Sequence, residues 1–212
     1  RAIQVIGEAR ALSPHFSMRA MPVFYLGILV QAHAQLGELG TAIDLAAEAL
    51  ALARALDETL TLADCISMTL DLHTQLDDDA GAQRLLAALQ GRSLDGLDYF
   101  ATKININLVR HDLRRGELTL ARARLQALGD ADVLAQPPDR AAARLCWAQL
   151  AQAEGDAAAA LRWLEPLADA ALHTEVQARS CALRLVVLDS LGRSDDGAMA
   201  LADAALAGQA EG

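Results

Sequence analysis

Lys103, Asn107, Arg110 and Arg114 stand at i, i+4, i+7 and i+11 within the segment TKININLVRHDLR, residues 102–114. On a helix that spacing makes one polar stripe, beside an apolar side of Ile106, Val109 and Leu113. Ammonium and guanidinium groups in a row can hold a carboxylate by charge-assisted hydrogen bonds. Lys103 is the only lysine of the chain, and Asn105 and Asn107 are its only asparagines, so the stripe stands apart from its surroundings. The chemistry it offers is recognition of negative charge; the plain alternative is a solvated helix face.

His33 and His73 recur forty positions apart. Such a pair suits metal binding or pH sensing, or interhelical packing with one nitrogen satisfied. No third ligand stands at a suitable spacing, so no metal is expected. Cys65, Cys146 and Cys181 are odd in number and far apart, which favours small buried helix residues over a redox or zinc role. Catalysis needs a nucleophile, an acid–base pair or a cofactor motif. The chain has no phosphate-binding loop, nucleophile elbow, zinc-protease helix or dinucleotide fingerprint. The acidic run at 77–79 falls at a helical turn, where carboxylates favour a helix N-terminus without further purpose. The expectation is a protein that is not an enzyme and takes no cofactor.

The elements that must position these residues are helices. Hydrophobic residues make up 53% of the 212 residues but aromatics only 3%, so the core is built from Leu, Ala and Val. Glycine and proline are too widely spaced for an all-β chain, which needs a turn signal every about 8 to 12 residues. The K-I-N-I-N alternation at 103–107 has the period of a strand, but a lone strand in a helical chain would leave its backbone groups unpaired. A formal charge of −10 without a basic stripe of sufficient size speaks against nucleic-acid binding. No apolar run approaches the ~20 residues of a membrane span, and no signal peptide opens the chain, so a cytoplasmic location is expected. Because the chain opens on Arg1 in an apolar helical pattern, it reads as a piece of a longer protein.

A repeat of about forty residues organises the chain. The turn residues Gly37, Asp77, Gly116, Gly155 and Gly192 are 40, 39, 39 and 37 positions apart. Five residues after each comes a small residue (Ala42, Ala82, Ala121, Ala160, Gly197), and seven before each an apolar one (Val30, Leu70, Val109, Ala148) or Leu185. Positions nine and twelve after the turn complete one helix face, as in Ala46 and Ala49 or Leu125 and Leu128. Each unit is thus a helical hairpin. First helices are expected near 22–37, 58–76, 97–115, 139–154 and 174–192, and second helices near 40–56, 79–91, 117–129, 156–170 and 194–207. Thr41, Asp79 and Asp156 sit at capping positions, and Pro22 and Pro138 suit a first helical turn. QPPD at 136–139 is a long connector within one domain.

The turn Gly followed by small-x-x-x-large-x-x-Ala, as in Gly37, Ala42, Ala46 and Ala49, resembles the tetratricopeptide repeat, and Ala2, Ile6, Ala9 and Pro14 look like a partial repeat closing at its proline. The resemblance implies an α-solenoid of antiparallel helix pairs forming a right-handed superhelix. It covers the whole chain: a partial repeat at 1–14, then units starting near 22, 58, 97, 139 and 174. The units are longer than that family's usual repeat, and a large residue replaces the small one within most of the first helices. In both respects they look like the sensor arrays of large bacterial ATP-dependent transcriptional regulators such as the maltose-regulon activator. In such arrays the first helices line a groove. Carried over by offset from the turn, its positions are Gln31, Gln35, Asp64, Asp71, Gln75, Lys103, Arg110, Arg114, Gln149, Gln152, Arg179 and Asp189, with Asn107 inside the basic stripe.

The implied function is protein or peptide binding with an acidic partner, in the interaction or sensor region of a larger bacterial regulatory protein. An oligomerisation or small-ligand sensor arm of a transcriptional regulator, and a structural spacer, stand as alternatives. Ile3, Val5 and Ile6 at one end and Met199, Leu201 and Leu206 at the other would leave apolar faces suited to a two-fold homodimer.

Overall fold

The structure, a computed structural model, describes residues 3–4, 19–76, 78–89, 92, 96–168 and 174–196. Among these residues all regular structure is helical, and the chain is all-α. In order the elements are α1 (Met21–Gln35), α2 (Leu39–Leu56), α3 (Thr59–Gln75), α4 (Asp79–Ala87), α5 (Asp98–Arg114), α6 (Leu118–Leu128), one 3-10 turn (Ala131–Val133), α7 (Pro137–Ala153), α8 (Ala157–Ala168) and α9 (Thr174–Ser190). The K-I-N-I-N stretch lies inside α5, so backbone pairing within the helix overrides the local alternation. The chain forms two compact units, Arg1–His111 and Asp112–Gly212, divided within α5.

The first helices end on one device. Gly37 adopts φ +77 and Gly116 φ +74, a left-handed conformation that costs an L side chain free energy. That conformation lets Glu38 N–H reach His33 O (2.9 Å) and Glu117 N–H reach Asp112 O (2.9 Å), satisfying carbonyls the helix leaves open. The same six-residue closure follows α7, α9 and α3, from Asp156, Arg193 and Asp78 to Ala151, Leu188 and His73. Asp77, the turn residue of the second hairpin, lies outside the described residues.

Helix starts differ from expectation. The cap of α4 is Asp78, whose side chain accepts Gly81 N–H at 2.8 Å, while Asp79 is already helical. Thr41 lies inside α2, because the helix follows the glycine turn at once and begins at Leu39. Asp156 does cap α8, accepting Ala159 N–H at 2.8 Å. Pro137 and Pro138 fill the first turn of α7, where a missing N–H is harmless. The helix expected over 79–91 closes at Ala87, where Leu89 N–H bonds back to Leu86 O.

Burial falls at offsets counted from the turn residues. Ala42, Ala82, Ala121 and Ala160, each five after its turn residue, have no exposed surface, and Val30, Leu70, Val109 and Ala148 are likewise buried. Small residues at these crossings let helix backbones approach closely. In the first unit Leu26, Leu62, Ile66 and Leu70 pack with Ala49, Ala53, Leu85 and Ile104. In the second, Leu145 and Ala148 of α7 meet Ala160 and Leu164 of α8 and Val187 of α9. On α4 the buried leucine is Leu85, with Leu86 only half-buried, and Leu185 is half-buried too. The hydroxyls of Thr69 and Thr74 in buried α3 donate to Cys65 O and Leu70 O, so they enter the core satisfied. Ala2, Val5, Ile6, Ala9 and Pro14, with Gly197, Met199, Leu201 and Leu206, lie outside the described residues; of the opening apolar set only Ile3 is described, half-buried.

Candidate interaction face

The first unit brings α3 and α5 side by side through polar contacts that recur at the repeat spacing. Asn107 Nδ2 donates to Ser67 O at 3.0 Å, and Arg110 Nη1 donates to Asp71 Oδ1 at 3.0 Å and to Asn107 Oδ1 at 3.4 Å. One turn earlier Lys103 stands near Asp64, whose carboxyl burial pushes up and whose rise the Lys103 charge opposes. Each step along α3 is thus matched by a step in the same direction along α5, so the two helices run parallel. α1 joins the row on the other side of α3: Gly27 faces the Met68 thioether, which a Cβ at that position would overlap. Hence Gly27 is a contact glycine.

Lys103, Asn107 and Arg110 of the basic stripe read from the sequence therefore make ties within the chain. The Arg110 and Asp71 side chains are 13% and 19% exposed, and Asn107 is buried. Lys103 places its Nζ 4.4 Å from the centroid of the Tyr99 ring, a cation–π arrangement. Of the other positions expected in a groove, Gln31 and Gln35 are exposed on α1, and Asp64 is half-buried. Gln75 closes α3 and its side chain lies outside the described residues. Described with the second unit, Arg114 is exposed, Gln149 and Arg179 are half-buried and Asp189 is exposed. Gln152 carries a buried Oε1 without a hydrogen-bond partner among the described residues.

Three residues on this side of the first unit escaped the sequence reading. Phe24, Leu60 and Tyr99 are exposed at 49%, 53% and 45%. Leu60 and Tyr99 are 39 positions apart and lie one turn before Asp64 and Lys103, while Phe24 stands 40 before Asp64, in the corresponding place on α1. Counted from the turn residues, Leu60 and Tyr99 share one offset and Phe24 shares that of Asp64 and Lys103, one helical turn further along.

The histidines pin turns. His33 Nδ1 donates to Glu38 Oε2 at 2.5 Å, and His73 Nδ1 to Asp78 Oδ2 at 2.8 Å, each joining the last turn of a first helix to the residue after the connecting turn. His111 Nε2 lies 3.6 Å from Asp79 Oδ1, linking α5 to α4. In the third hairpin the same place is held by Asp112, buried and bonded by Arg124 Nε at 2.8 Å. The Gly81 N–H and the His73 imidazole hold the Asp78 carboxyl below its ordinary range. Among the described residues no three His, Cys, Asp or Glu side chains gather as a metal site. Cys65, Cys146 and Cys181 are unoxidised thiols; burial, reinforced by the neighbouring Asp64 charge, pushes Cys65 up to about 12, so its thiol stays protonated near neutral pH. No described helix is long and apolar enough to cross a membrane.

No family model, curated protein or solved structure matches the chain.

Proposed function

We propose that the chain is an array of tetratricopeptide-like helical hairpins with no catalytic role of its own, and that it binds a protein or peptide. The binding surface is the side of α1, α3 and α5 that their packing leaves open. The observation that supports this most is the pair of ties between α3 and α5, Ser67 with Asn107 and Asp71 with Arg110, spanning 40 and 39 positions. They hold successive first helices in register, so that equivalent positions present a fixed row of side chains. A row ordered before the ligand arrives costs less to bind than a flexible one. In a larger regulatory protein such a region would serve as the interaction or sensor part.

The test is to select binders from a displayed library of random peptides against the whole chain and to map each by hydrogen exchange. Protection over α1, α3 and α5 supports the proposal. Protection confined to α2 and α4, or loss of binding in an Arg54→Glu control on α2, would move the site elsewhere.

A further inference from the structure

We infer that the occupant of this face is an uncharged, apolar segment of another protein, anchored on Phe24, Leu60 and Tyr99. The inference rests on the binding role proposed above.

Two observations select this chemistry over an anionic partner. First, Lys103 and Arg110, the cations of the face within the first unit, are already occupied. Arg110 is bonded to Asp71 and Asn107, and Lys103 sits over Tyr99 with the Asp64 carboxyl close enough to feel its charge. An incoming carboxylate would have to displace Asp71 or Asp64, and both stay on the face to repel it. The chain as a whole carries −10, which opposes an anion further. An incoming cation would meet Asp64 and Asp71 only by taking the place of Lys103 and Arg110. The face is charge-balanced, so its complement is a segment that brings no charge.

Second, what the balanced charges leave open is apolar. Phe24, Leu60 and Tyr99 are each about half exposed, on three adjacent first helices, in a chain with only 3% aromatic residues. Aromatic side chains are the commonest anchors of binding energy, since two torsions fix a large contact area. Gln31 and Gln35, exposed on α1, offer amides that both donate and accept, which suits the backbone of an extended segment.

The peptides selected above provide the probe. Those whose footprint covers α1, α3 and α5 should be rich in apolar and poor in charged residues. Their affinity should change less than about threefold between low and high salt, since no charge pair forms across the interface. Phe24→Gln, Leu60→Gln and Tyr99→Gln together should weaken them at least about tenfold, glutamine being a good helix former at exposed sites, with melting unchanged. Binders dominated by acidic or basic residues, or steeply weakened by salt while still protecting this face, would overturn the inference and leave the binding role standing. Face-protecting peptides unmoved by the triple substitution would overturn the inference alone, and an absence of any peptide that protects α1, α3 and α5 would overturn both.

Discussion

His73, Asp78 and Gly81 form a polar knot in the first unit, and each constrains the others. Asp78 caps α4 and takes the His73 proton donor, so Asp78→Ala should cost about 1 kcal/mol or somewhat more in urea melts at pH 7. The pH dependence follows from the direction of its shift. The folded carboxyl titrates below its ordinary value of 3.8, so its contribution is complete above that value and is lost as pH falls through the folded one. Wild type and Asp78→Ala should therefore converge in acid below pH 3.8 and differ most near neutrality. Gly81 makes a second test. A helical Gly→Ala change ordinarily gains roughly 0.5–1 kcal/mol. At exposed Gly40, where a Cβ meets nothing within 4 Å, thermal melting should show that gain; at Gly81 the Cβ would collide with the His73 ring and the Asp78 carboxylate, so the sign should reverse. The recurrence of His33 and His73 was legible because equal spacing is visible in a sequence. Their carboxylate partners were not, since a contact at i+5 forms only once a left-handed turn folds the chain back.

At the scale of helices, offsets counted from the turn residues placed the described helices within a few residues, because apolar residues at helical spacing become the buried faces. Thr41 and Asp79 failed as caps for local reasons: after the glycine turn at Gly37 the next helix begins at once at Leu39, and at α4 Asp78 takes the Gly81 N–H, leaving Asp79 inside the helix. The stripe on α5 was seen as a stripe but assigned to an external ligand. Asp71 and Arg110 each stand six before a turn residue, and only the packing of α3 against α5 shows that this shared offset makes them neighbours. Arg110→Asp should set two carboxylates together in a half-buried place and lower stability by about 1–3 kcal/mol. Adding Asp71→Arg to that variant should recover much of the loss, and a double-mutant cycle measured by chemical denaturation would show the coupling. Equal losses from the single and double variants would mean that the pair does not hold the helices together.

At the scale of the whole molecule, the division into two units falls inside a helix and not in a linker. Chain cleavage needs local unfolding, which is cheapest where few backbone bonds are lost. Among the described residues, limited chymotrypsin digestion should therefore cut after Leu134, in the connector between the 3-10 turn and α7, before it cuts at Leu108 or Leu113 within α5. Early cleavage at those two positions, read by mass spectrometry, would show that α5 frays at the division. The opposite signs at Asp71 and Arg110 carry one more consequence, for how such a chain tolerates duplication. Hairpins that share a backbone plan invite exchange, since any one could in principle stack on any other. Here a second copy of the α3–α4 hairpin placed behind the first would set Asp71 against Asp71 and Asp64 against Asp64, and like charges would refuse the joint. Opposite signs across this one joint give its two hairpins an address: each is told from its neighbour by charge, and their order along the chain is itself a part of what the sequence specifies.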